Sequence, residues 1–491
     1  MMLTHFPGRL ALLAALALAP VWALAQKPAL PAPISKALVR AQVPHEAVTL
    51  LVVDAAGKLP PRLNHRADVA MNPASVMKLV TTYAALDVLG PAFTWTTHVS
   101  MDGDISNGLL HGNLVVRGGG DPKLVVERLQ AMLAQVQASG VKVIRGDIVL
   151  DRSAFQVPAL DAGEFDGEPL RPYNARPDAL LINFKSLVMR FTPDLAQNRA
   201  RVQVEPPLAG LLIDDSVPLV RVSRCGDWRS ELRASVENPN RLQFAGTYSS
   251  ACGERVWPTA YAEPASYAAR AIEGSWRALG GLLTGSVRDA TATELAMLRD
   301  RGTLSGEKAP LRLDAPSLPL RDIVRDVNKF SNNVMAQHLF LTLGRQAQTG
   351  PHPQGTPEAG RAALAAWWNK ILPLMPAPVM DNGSGLSRAE RISAASLAAM
   401  LQHAAQSRVA QDLLDSLPIA GVDATMRERA KGVTGQAFIK TGSLRDVAAV
   451  AGYANGVSGA RYVVVGIINH PNAGAARGAL DALIQWAVQE R

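Results

Sequence analysis

A serine and a lysine stand three residues apart at the start of a stretch with helical spacing. Ser75 and Lys78 follow Asn72-Pro73, a pair typical of a helix start because asparagine caps the first turn and proline fits its first position. Residues three apart on a helix share a face. A serine hydroxyl becomes a nucleophile when a base removes its proton, and a lysine amine held neutral can be that base. Ser75 and Lys78 are therefore candidates for a nucleophile and its general base.

The Ser-x-x-Lys spacing is not specific by itself. The chain contains two further matches, Ser139 with Lys142 and Ser305 with Lys308. Each of these has a glycine inside the motif and lacks a capped apolar helix after it. We therefore single out the first pair, for which a solvated helix start is the alternative interpretation.

Two further motifs lie far along the chain. Ser331 and Asn333 form a Ser-x-Asn motif, for which a loop or a helix cap is the alternative. Residues 440–443, Lys-Thr-Gly-Ser, end the apolar run 437–439, so their side chains alternate along a strand whose backbone can pair with an extended peptide. Gly442 allows a substrate to approach the backbone closely. A turn that ends the strand is the alternative for this motif.

In this order the three motifs resemble those of the penicillin-interacting serine hydrolases, whose active site is assembled from three such elements. The fuller resemblance is to the D-alanyl-D-alanine carboxypeptidase/endopeptidase family, also called class C low-molecular-mass penicillin-binding proteins or peptidase family S13. Ser331 lies 256 positions after Ser75, which is similar to that family, where extra domains are inserted between the first two motifs. The resemblance is strong at both ends of the chain and weak in the insert. It rests on the stretches NPASVMK (72–78), GGGDP (118–122), DNGSGLS (381–387) and IKTGS (439–443).

The resemblance implies a role for each motif residue. Ser75 would attack the carbonyl between two D-alanines and release the terminal one, with Lys78 as the base for acylation. Ser331 would bridge Lys78 and the leaving amine as a proton shuttle, and Asn333 would hydrogen-bond the substrate amide. The backbone N–H groups of Ser75 and Ser443 would form the oxyanion hole. The residues that would bind substrate, chiefly its carboxylate, are Lys440, Thr441, Gly442 and Ser443.

The elements around the motifs predict how they are positioned. Apolar periodicity and turn residues predict strands over 49–53, 436–440, 447–454 and 461–469, and helices over 323–343, 393–405 and 475–489. One early strand and three sequential late strands favour an antiparallel sheet with helices on its faces, built from both ends of the chain. The predicted fold class is α/β in the broad sense (α+β). The resemblance implies a penicillin-binding, serine β-lactamase-like transpeptidase domain.

The middle of the chain has a different sequence pattern from the two ends. Over 93–287, short apolar runs alternate with Gly, Pro, Asn and Asp, which is typical of small strands. The 491 residues suffice for two or three domains. We predict a discontinuous peptidase domain over 26–92 and 288–491, with a β-rich insert over 93–287 that forms one or two extra domains, with two the preferred division.

The first 25 residues have the features of a secretory signal peptide. Arg9 precedes an apolar run over 10–19, and Ala23-Leu24-Ala25 supplies a small-residue cleavage site. An uncleaved anchor is the alternative, but about ten apolar residues span only about 15 Å as a helix, half of the hydrocarbon core. We predict a signal peptide over 1–25 cleaved after Ala25, a periplasmic location and at most peripheral membrane association.

Composition excludes several classes of protein. Lys and Arg number 50 against 42 Asp and Glu, but the excess of +8 is scattered, so no nucleic-acid-binding stripe is predicted. The two cysteines are too few for a zinc ribbon or an iron–sulfur cluster, and the histidines lack metal spacing, so we expect neither metal nor cofactor. Export would permit a disulfide between Cys225 and Cys252, although the sequence leaves open whether their Cα atoms approach.

The predicted function is a serine D,D-carboxypeptidase that trims D-alanyl-D-alanine from peptidoglycan stem peptides through an acyl-enzyme. β-Lactams would be covalent inhibitors that acylate Ser75. Cleavage of cross-links as a D,D-endopeptidase is left open, as is formation of a homo-oligomer. Two alternatives stand beside it: a β-lactamase or esterase on the same scaffold, and a non-catalytic cell-wall-binding module. The large insert argues against the first and the intact motif residues argue against the second.

Overall fold

The two ends of the chain meet in one antiparallel sheet. The computed structural model describes residues 30–301 and 312–489, so the predicted signal peptide over 1–25 and the pair Ser305 and Lys308 lie outside it. A single turn of 3-10 helix, Ala74–Met77, leads into the first long helix after the sheet's first strands. The elements of this N-terminal part are α1 (Ala32–Arg40), β1 (Val48–Asp54), β2 (Leu63–His65), β3 (Ala70–Met71) and α2 (Lys78–Leu89).

Short strands dominate the middle of the chain. They are β4 (Thr96–Ser106), β5 (Leu109–Arg117), β6 (Val143–Ile144), β7 (Ile148–Asp151), β8 (Ser186–Asp194), β9 (Arg199–Glu205), β10 (Leu212–Ile213), β11 (Ser216–Val220), β12 (Ala234–Ser235), β13 (Arg241–Phe244), β14 (Tyr248–Ser249), β15 (Arg255–Ala260), β16 (Leu282–Leu283), β17 (Val287–Asp289) and β18 (Arg312–Pro316). The helices here are α3 (Val126–Ala138), α4 (Trp228–Glu231), α5 (Tyr267–Ala278) and α6 (Ala292–Arg301). The β-rich character of the insert is confirmed.

The C-terminal part alternates helices with the remaining strands of the sheet. Its elements are α7 (Leu320–Phe330), α8 (Asn333–Gln346), α9 (Pro357–Ile371), β19 (Ile392–Ser393), α10 (Ala394–Ala405), α11 (Ala410–Ser416), β20 (Ala437–Leu444), β21 (Val447–Asn455), β22 (Arg461–Asn469) and α12 (Arg477–Gln489). The prediction of one helix over 323–343 is wrong, because Ser331 adopts a left-handed conformation with φ 56° and separates α7 from α8. Asn332 then caps α8 by accepting a hydrogen bond from the backbone N of Met335 at 3.1 Å.

The central sheet has the strand order β2-β1-β22-β21-β20, and its pairs are antiparallel. Successive side chains of a strand point to opposite faces, so β22 serves two cores. Val463 and Val465 pack with residues of α2, α7, α8 and α10, whereas Val464 and Ile468 pack with α1 and α12. The predicted antiparallel sheet with helices on its faces is therefore confirmed.

The insert contains two hydrophobic clusters. One lies between α3, α5 and a mixed sheet of order β16-β6-β5-β4-β18, in which β7 also pairs with β5 and β17. The helix α3 was not predicted, although it carries buried Leu129, Met132, Leu133 and Val136 at helical spacing. It connects the parallel pair β5 and β6, as a crossover between parallel strands requires.

The second cluster of the insert lies under the sheet β14-β11-β9-β8-β15 and the small sheet β10-β13-β12. Cys225 and Cys252 are joined by a disulfide at its edge, with their Cα atoms 4.5 Å apart. This answers the question that the sequence left open.

The described helices include none that is both long and apolar enough to cross a bilayer.

Candidate active site

Ser75 lies in the 3-10 turn before α2 rather than inside an α-helix. The preceding Ala74 is fully buried and has φ 47°, a left-handed conformation that costs a residue with a Cβ atom on the order of 1 kcal/mol. Asn72 compensates, since its Oδ1 accepts a hydrogen bond from the backbone N of Ala74 at 2.8 Å. Asn72 was expected to cap an α-helix; it instead holds the strained residue next to the candidate nucleophile.

Asn72 is itself fixed to distant parts of the chain. Its Nδ2 donates to the Ser387 carbonyl at 2.9 Å. Its backbone N donates to Oδ1 of Asn469 at the end of β22, and Nδ2 of Asn469 donates back to the Asn72 carbonyl, both at 2.9 Å. The turn that carries Ser75 is thus attached to the rigid central sheet, which suits a group that must be held in one position.

Lys78 is completely buried directly beneath Ser75. Its Nζ lies 3.0 Å from Ser75 Oγ and 2.6 Å from Asn333 Oδ1, and it also contacts the Ser384 carbonyl. A neutral amine has two hydrogens, which match the two carbonyl-type oxygens, and one lone pair, which is left for the Ser75 hydroxyl proton. The arrangement therefore fits an amine that accepts a proton from Ser75.

Electrostatics favour the neutral form of Lys78. Burial lowers the pKa of Lys78 well below its usual value because a buried ammonium loses its hydration, and the positive charge of Lys440 lowers it further. The buried carboxyl of Glu390 opposes both effects. A lysine with a lowered pKa is able to act as a general base at neutral pH.

Lys440 on β20 is the second completely buried lysine of the site. Its Nζ donates to Ser331 Oγ at 2.8 Å and to the Thr441 carbonyl at 2.9 Å. Burial lowers the pKa of Lys440 to about 7. The left-handed conformation of Ser331, between α7 and α8, turns its hydroxyl toward this amine.

Asn333 is the first residue of α8, and both polar atoms of its side chain have protein partners. Oδ1 accepts from Lys78, and Nδ2 donates to the Tyr173 carbonyl at 3.0 Å. Asn333 therefore links Lys78 to the insert. A substrate amide would have to replace the contact with Tyr173 to use the same Nδ2 group.

Strand β20 packs directly against the turn that carries Ser75. A Cβ atom on Gly442 would lie 2.4 Å from the Pro73 carbonyl oxygen and 3.1 Å from the backbone N of Ser75. Real Cβ atoms do not approach backbone this closely, so this position requires glycine. The close neighbour that the structure shows for Gly442 is the turn that carries Ser75.

The hydroxyls of Thr441 and Ser443 lie along the accessible side of the same strand. Thr441 Oγ1 is 3.0 Å from Thr425 Oγ1, and exposed Ser443 accepts a weak contact from Arg477 Nη2 at 3.4 Å. Arg477 at the start of α12 was not predicted, because its position beside β20 follows only from the folded topology. A cation there is suited to a substrate carboxylate held by these hydroxyls.

A cavity of about 680 Å³ opens in front of these groups. Four of the sequence-predicted residues line it, and Lys78 and Lys440 lie buried behind them. The insert supplies one wall, which was not predicted, and the loop after Gly385 and the end of β20 supply another. The lining residues are Ser75, Ser331, Asn333, Ser443, Phe165, Asp166, Glu168, Tyr173, Leu386, Arg388, Leu444 and Arg445.

Two other residues of the motifs and stretches named from the sequence lie elsewhere. Ser139 donates from Oγ to the Val136 carbonyl at the end of α3, as an ordinary helix terminus does. Asp121 accepts from the backbone N of Lys123 and forms an ion pair with Arg128 at 2.5 Å, so it stabilises a turn. Among the described residues, no three His, Cys, Asp or Glu side chains are grouped to hold a metal ion.

Known structures share this fold. Penicillin-binding protein 4 (dacB) from Haemophilus influenzae superposes with a TM-score of 0.69 at 23% identity, covering 92% of this chain and 99% of that one. The predatory endopeptidase Bd3459 from Bdellovibrio bacteriovorus superposes with a TM-score of 0.51 at 16% identity, covering 89% and 91%. The penicillin-binding fold predicted from the motifs is therefore confirmed.

Sequence comparison gives the family. The model of the D-Ala-D-Ala carboxypeptidase 3 (S13) family matches residues 31–490, and the chain belongs to this family of serine-type peptidases. The chain is 27% identical over 404 residues to D-alanyl-D-alanine carboxypeptidase DacB of Haemophilus influenzae, covering 81% of this chain and 80% of that protein. It is also 27% identical over 435 residues to a D-alanyl-D-alanine carboxypeptidase of an Actinomadura species, covering 85% and 77%. The resemblance stated from the motifs is confirmed.

Proposed function

We propose that this enzyme is a serine D,D-carboxypeptidase in which Ser75 is the nucleophile and Lys78 is its general base. One observation carries the assignment: the completely buried Nζ of Lys78 lies 3.0 Å from Ser75 Oγ, and its other partners are two carbonyl-type oxygens. This is the contact that proton removal from the hydroxyl requires.

In the acylation step, Lys78 takes the proton of Ser75 while Oγ attacks the carbonyl carbon between two D-alanines. Negative charge develops on the carbonyl oxygen, which the backbone N–H groups of Ser75 and Ser443 stabilise. Ser331 relays the proton that Lys78 has taken to the leaving nitrogen, and the C–N bond breaks to release D-alanine and leave an acyl group on Ser75. The contact of Lys440 with Ser331 at 2.8 Å supports this role, since the protonated form of Lys440 makes the neighbouring hydroxyl a better proton donor.

In the same proposal, Thr441, Ser443 and Lys440 bind the carboxylate of the terminal D-alanine. Lys440 supplies positive charge from behind the strand, and the two hydroxyls supply hydrogen bonds at its surface. Gly442 brings this strand close to Ser75. Asn333 orients Lys78 and receives the substrate amide when the substrate displaces the Tyr173 carbonyl.

The substrate class that we propose is the stem peptide of peptidoglycan, with β-lactams as covalent inhibitors on Ser75. Two observations on neighbours of the same fold support the inhibitor assignment. Penicillin-binding protein 4 of Haemophilus influenzae is known in complex with a β-lactam, and Bd3459 is known in a penicillin G-acylated form. Cleavage of cross-links is a second candidate activity, favoured by the endopeptidases among the neighbours.

We further propose a periplasmic enzyme whose peptidase domain is interrupted by the insert. The division into 26–92, 93–287 and 288–491 stays a prediction, as does cleavage after Ala25. The pairing of β18 with β4 favours a second boundary near residue 317 rather than 287, because residues 312–316 extend the sheet of the insert. The two hydrophobic clusters of the insert support its division into two parts.

The proposal is tested by labelling the purified protein with a fluorescent penicillin and by measuring D-alanine release from a pentapeptide. Ser75→Ala is expected to abolish both signals. Ser139→Ala is the matched control, since it changes the serine of the other described Ser-x-x-Lys motif and should label normally. Labelling that persists in Ser75→Ala would contradict the assigned nucleophile, and fast release of the penicilloyl group would favour a β-lactamase. Wall binding without D-alanine release would favour a non-catalytic module.

A further inference from the structure

Glu390 is a completely buried carboxyl group that the mechanism above does not use. Its Oε1 accepts hydrogen bonds from three consecutive backbone N–H groups, those of Asp381 and Asn382 at 3.2 Å and Gly383 at 3.1 Å. Its Oε2 is also buried and has no hydrogen-bond partner among the described residues. One carboxyl oxygen thus binds three amides while the other is buried without a partner. Burying an unpaired polar atom costs free energy, so the position of Glu390 needs a physical reason.

The three amides belong to the loop that holds the candidate base. The next residue of that loop is Ser384, whose carbonyl contacts Nζ of Lys78. Ser384 is completely buried, and its backbone N donates to Oδ1 of Asn382 at 3.0 Å. Thr81 of α2 donates to the Gly383 carbonyl at 2.7 Å, which fixes the loop from the other side. Glu390 therefore sets the position of the carbonyl that orients Lys78.

Glu390 also acts on Lys78 through its charge. The groups that shift the pKa of Lys78 are its own burial and Lys440, which lower it, and Glu390, which raises it. Burial raises the pKa of Glu390, and Asp381 adds to this, while the three backbone N–H groups favour its ionised form. The neighbours of Lys78 on α8 and in the nucleophile turn, Asn333 and Ser75, are neutral.

We propose that Glu390 is a positioning residue of the acylation step: by accepting the backbone N–H groups of residues 381–383, it holds the Ser384 carbonyl against Lys78. This inference rests on the proposed role of Lys78. It assigns two separable functions to one side chain, a hydrogen-bond acceptor for the loop and a negative charge for the amine.

Two substitutions separate these functions. Glu390→Gln keeps an oxygen for the three N–H groups and removes the charge. It should move the acid limb of the pH profile for penicillin acylation to lower pH, so that below the limb the variant acylates about threefold faster than the wild type. Glu390→Asp keeps the charge but is one methylene shorter. It should slow acylation about tenfold at every pH while the acid limb stays in place.

The matched control is Glu358→Gln on the surface of α9, where the acid limb should not move. A purely structural role would slow Glu390→Gln at all pH values and would not make it faster in acid, so an unmoved acid limb in a folded Glu390→Gln protein overturns the proposal. If Glu390→Gln does not fold, Glu390→Asp decides: a wild-type acylation rate overturns the positioning role. Failure of the wild type itself to be acylated would instead count against the proposed function.

Discussion

Buried lysines have different partners in the two regions of this molecule. In the active site, Lys78 and Lys440 are completely buried, and their Nζ atoms contact hydroxyl and carbonyl oxygens. In the insert, Lys185 is nearly as buried, but its Nζ lies 3.0 Å from a carboxylate oxygen of Asp178. Asp178 has a second cation, Arg152, at 2.9 Å.

Similarly buried lysines therefore have different electrostatic environments in the two regions. Burial by itself would raise the pKa of Asp178, but Lys185 and Arg152 hold that pKa below its usual value, so the insert contains a compensated buried ion cluster. In the site, burial lowers the pKa of both lysines, and among the described residues no carboxylate contacts their amines to offset it. Contact partners, rather than burial, decide whether a buried amine is a structural ion or a base.

Replacing a buried lysine by methionine in each region tests this comparison most directly. Lys78→Met is expected to reduce penicillin acylation at least about 10³-fold, since it removes the proposed general base, while stability stays unchanged or rises by about 1–2 kcal/mol. Lys185→Met is expected to lower the free energy of unfolding by about 3 kcal/mol, because Asp178 loses one of its two cations, and to leave acylation within about twofold of wild type. Urea denaturation and labelling rates measure the two effects.

Each variant is the control for the other, because both replace a buried lysine by an isosteric apolar side chain. If Lys78→Met destabilised the protein as much as Lys185→Met, the proposed difference between the two environments would be incorrect. Loss of acylation in a fully folded Lys185→Met protein would show instead that the ion cluster of the insert supports catalysis.

An effect on stability alone is expected from the disulfide of the insert. Cys225 and Cys252 are 27 residues apart, and a loop of that length corresponds to about 3.5 kcal/mol in the chain-entropy model. The double variant Cys225→Ser/Cys252→Ser should lower the free energy of unfolding of the part of the insert around its second hydrophobic cluster by this amount. Calorimetry measures the loss. Labelling of Ser75 at 25 °C should be unchanged, and its loss would mean that the insert and the site fold as one unit.

The sequence predicted those elements that local pattern decides. Strand β22 matches its predicted bounds, 461–469, and β21 differs from its prediction by one residue, because both are apolar runs joined by turn residues. The motifs themselves were also found from sequence, since Ser-x-x-Lys, Ser-x-Asn and Lys-Thr-Gly are defined by side-chain type.

The sequence did not predict the parts of the site that depend on backbone groups or on distant contacts. The Ser384 and Tyr173 carbonyls hold Lys78 and Asn333, and a carbonyl has no signature in the amino-acid sequence. The break at Ser331 was missed because the apolar spacing of α7 continues into α8. Residues 165–173 of the insert form one wall of the cavity through tertiary packing, and local sequence periodicity does not predict such packing.

His338 on α8 contacts the insert. Its replacement should have a smaller effect than the lysine and disulfide variants. It is completely buried, its Nδ1 lies 2.9 Å from the Gly120 carbonyl and its Nε2 accepts from the backbone N of Asp178 at 3.3 Å. A ring that donates from one nitrogen and accepts at the other is neutral. Burial lowers the pKa of His338 to about 4, while the Gly120 carbonyl and Asp178 oppose this and Lys185 adds to it.

The unfolded chain takes up the His338 proton first as the pH falls, since its pKa there is about 6.5. The neutral histidine thus contributes its full stability above pH 6.5, and that contribution is lost as the pH falls toward 4, by about 2 kcal/mol at pH 5. His338→Asn keeps a donor for Gly120 without a titrating group, so its free energy of unfolding should fall about 2 kcal/mol less than that of the wild type between pH 7.5 and 5, measured by urea denaturation. Equal losses in both proteins would show that His338 is not the neutral buried link between α8 and the insert.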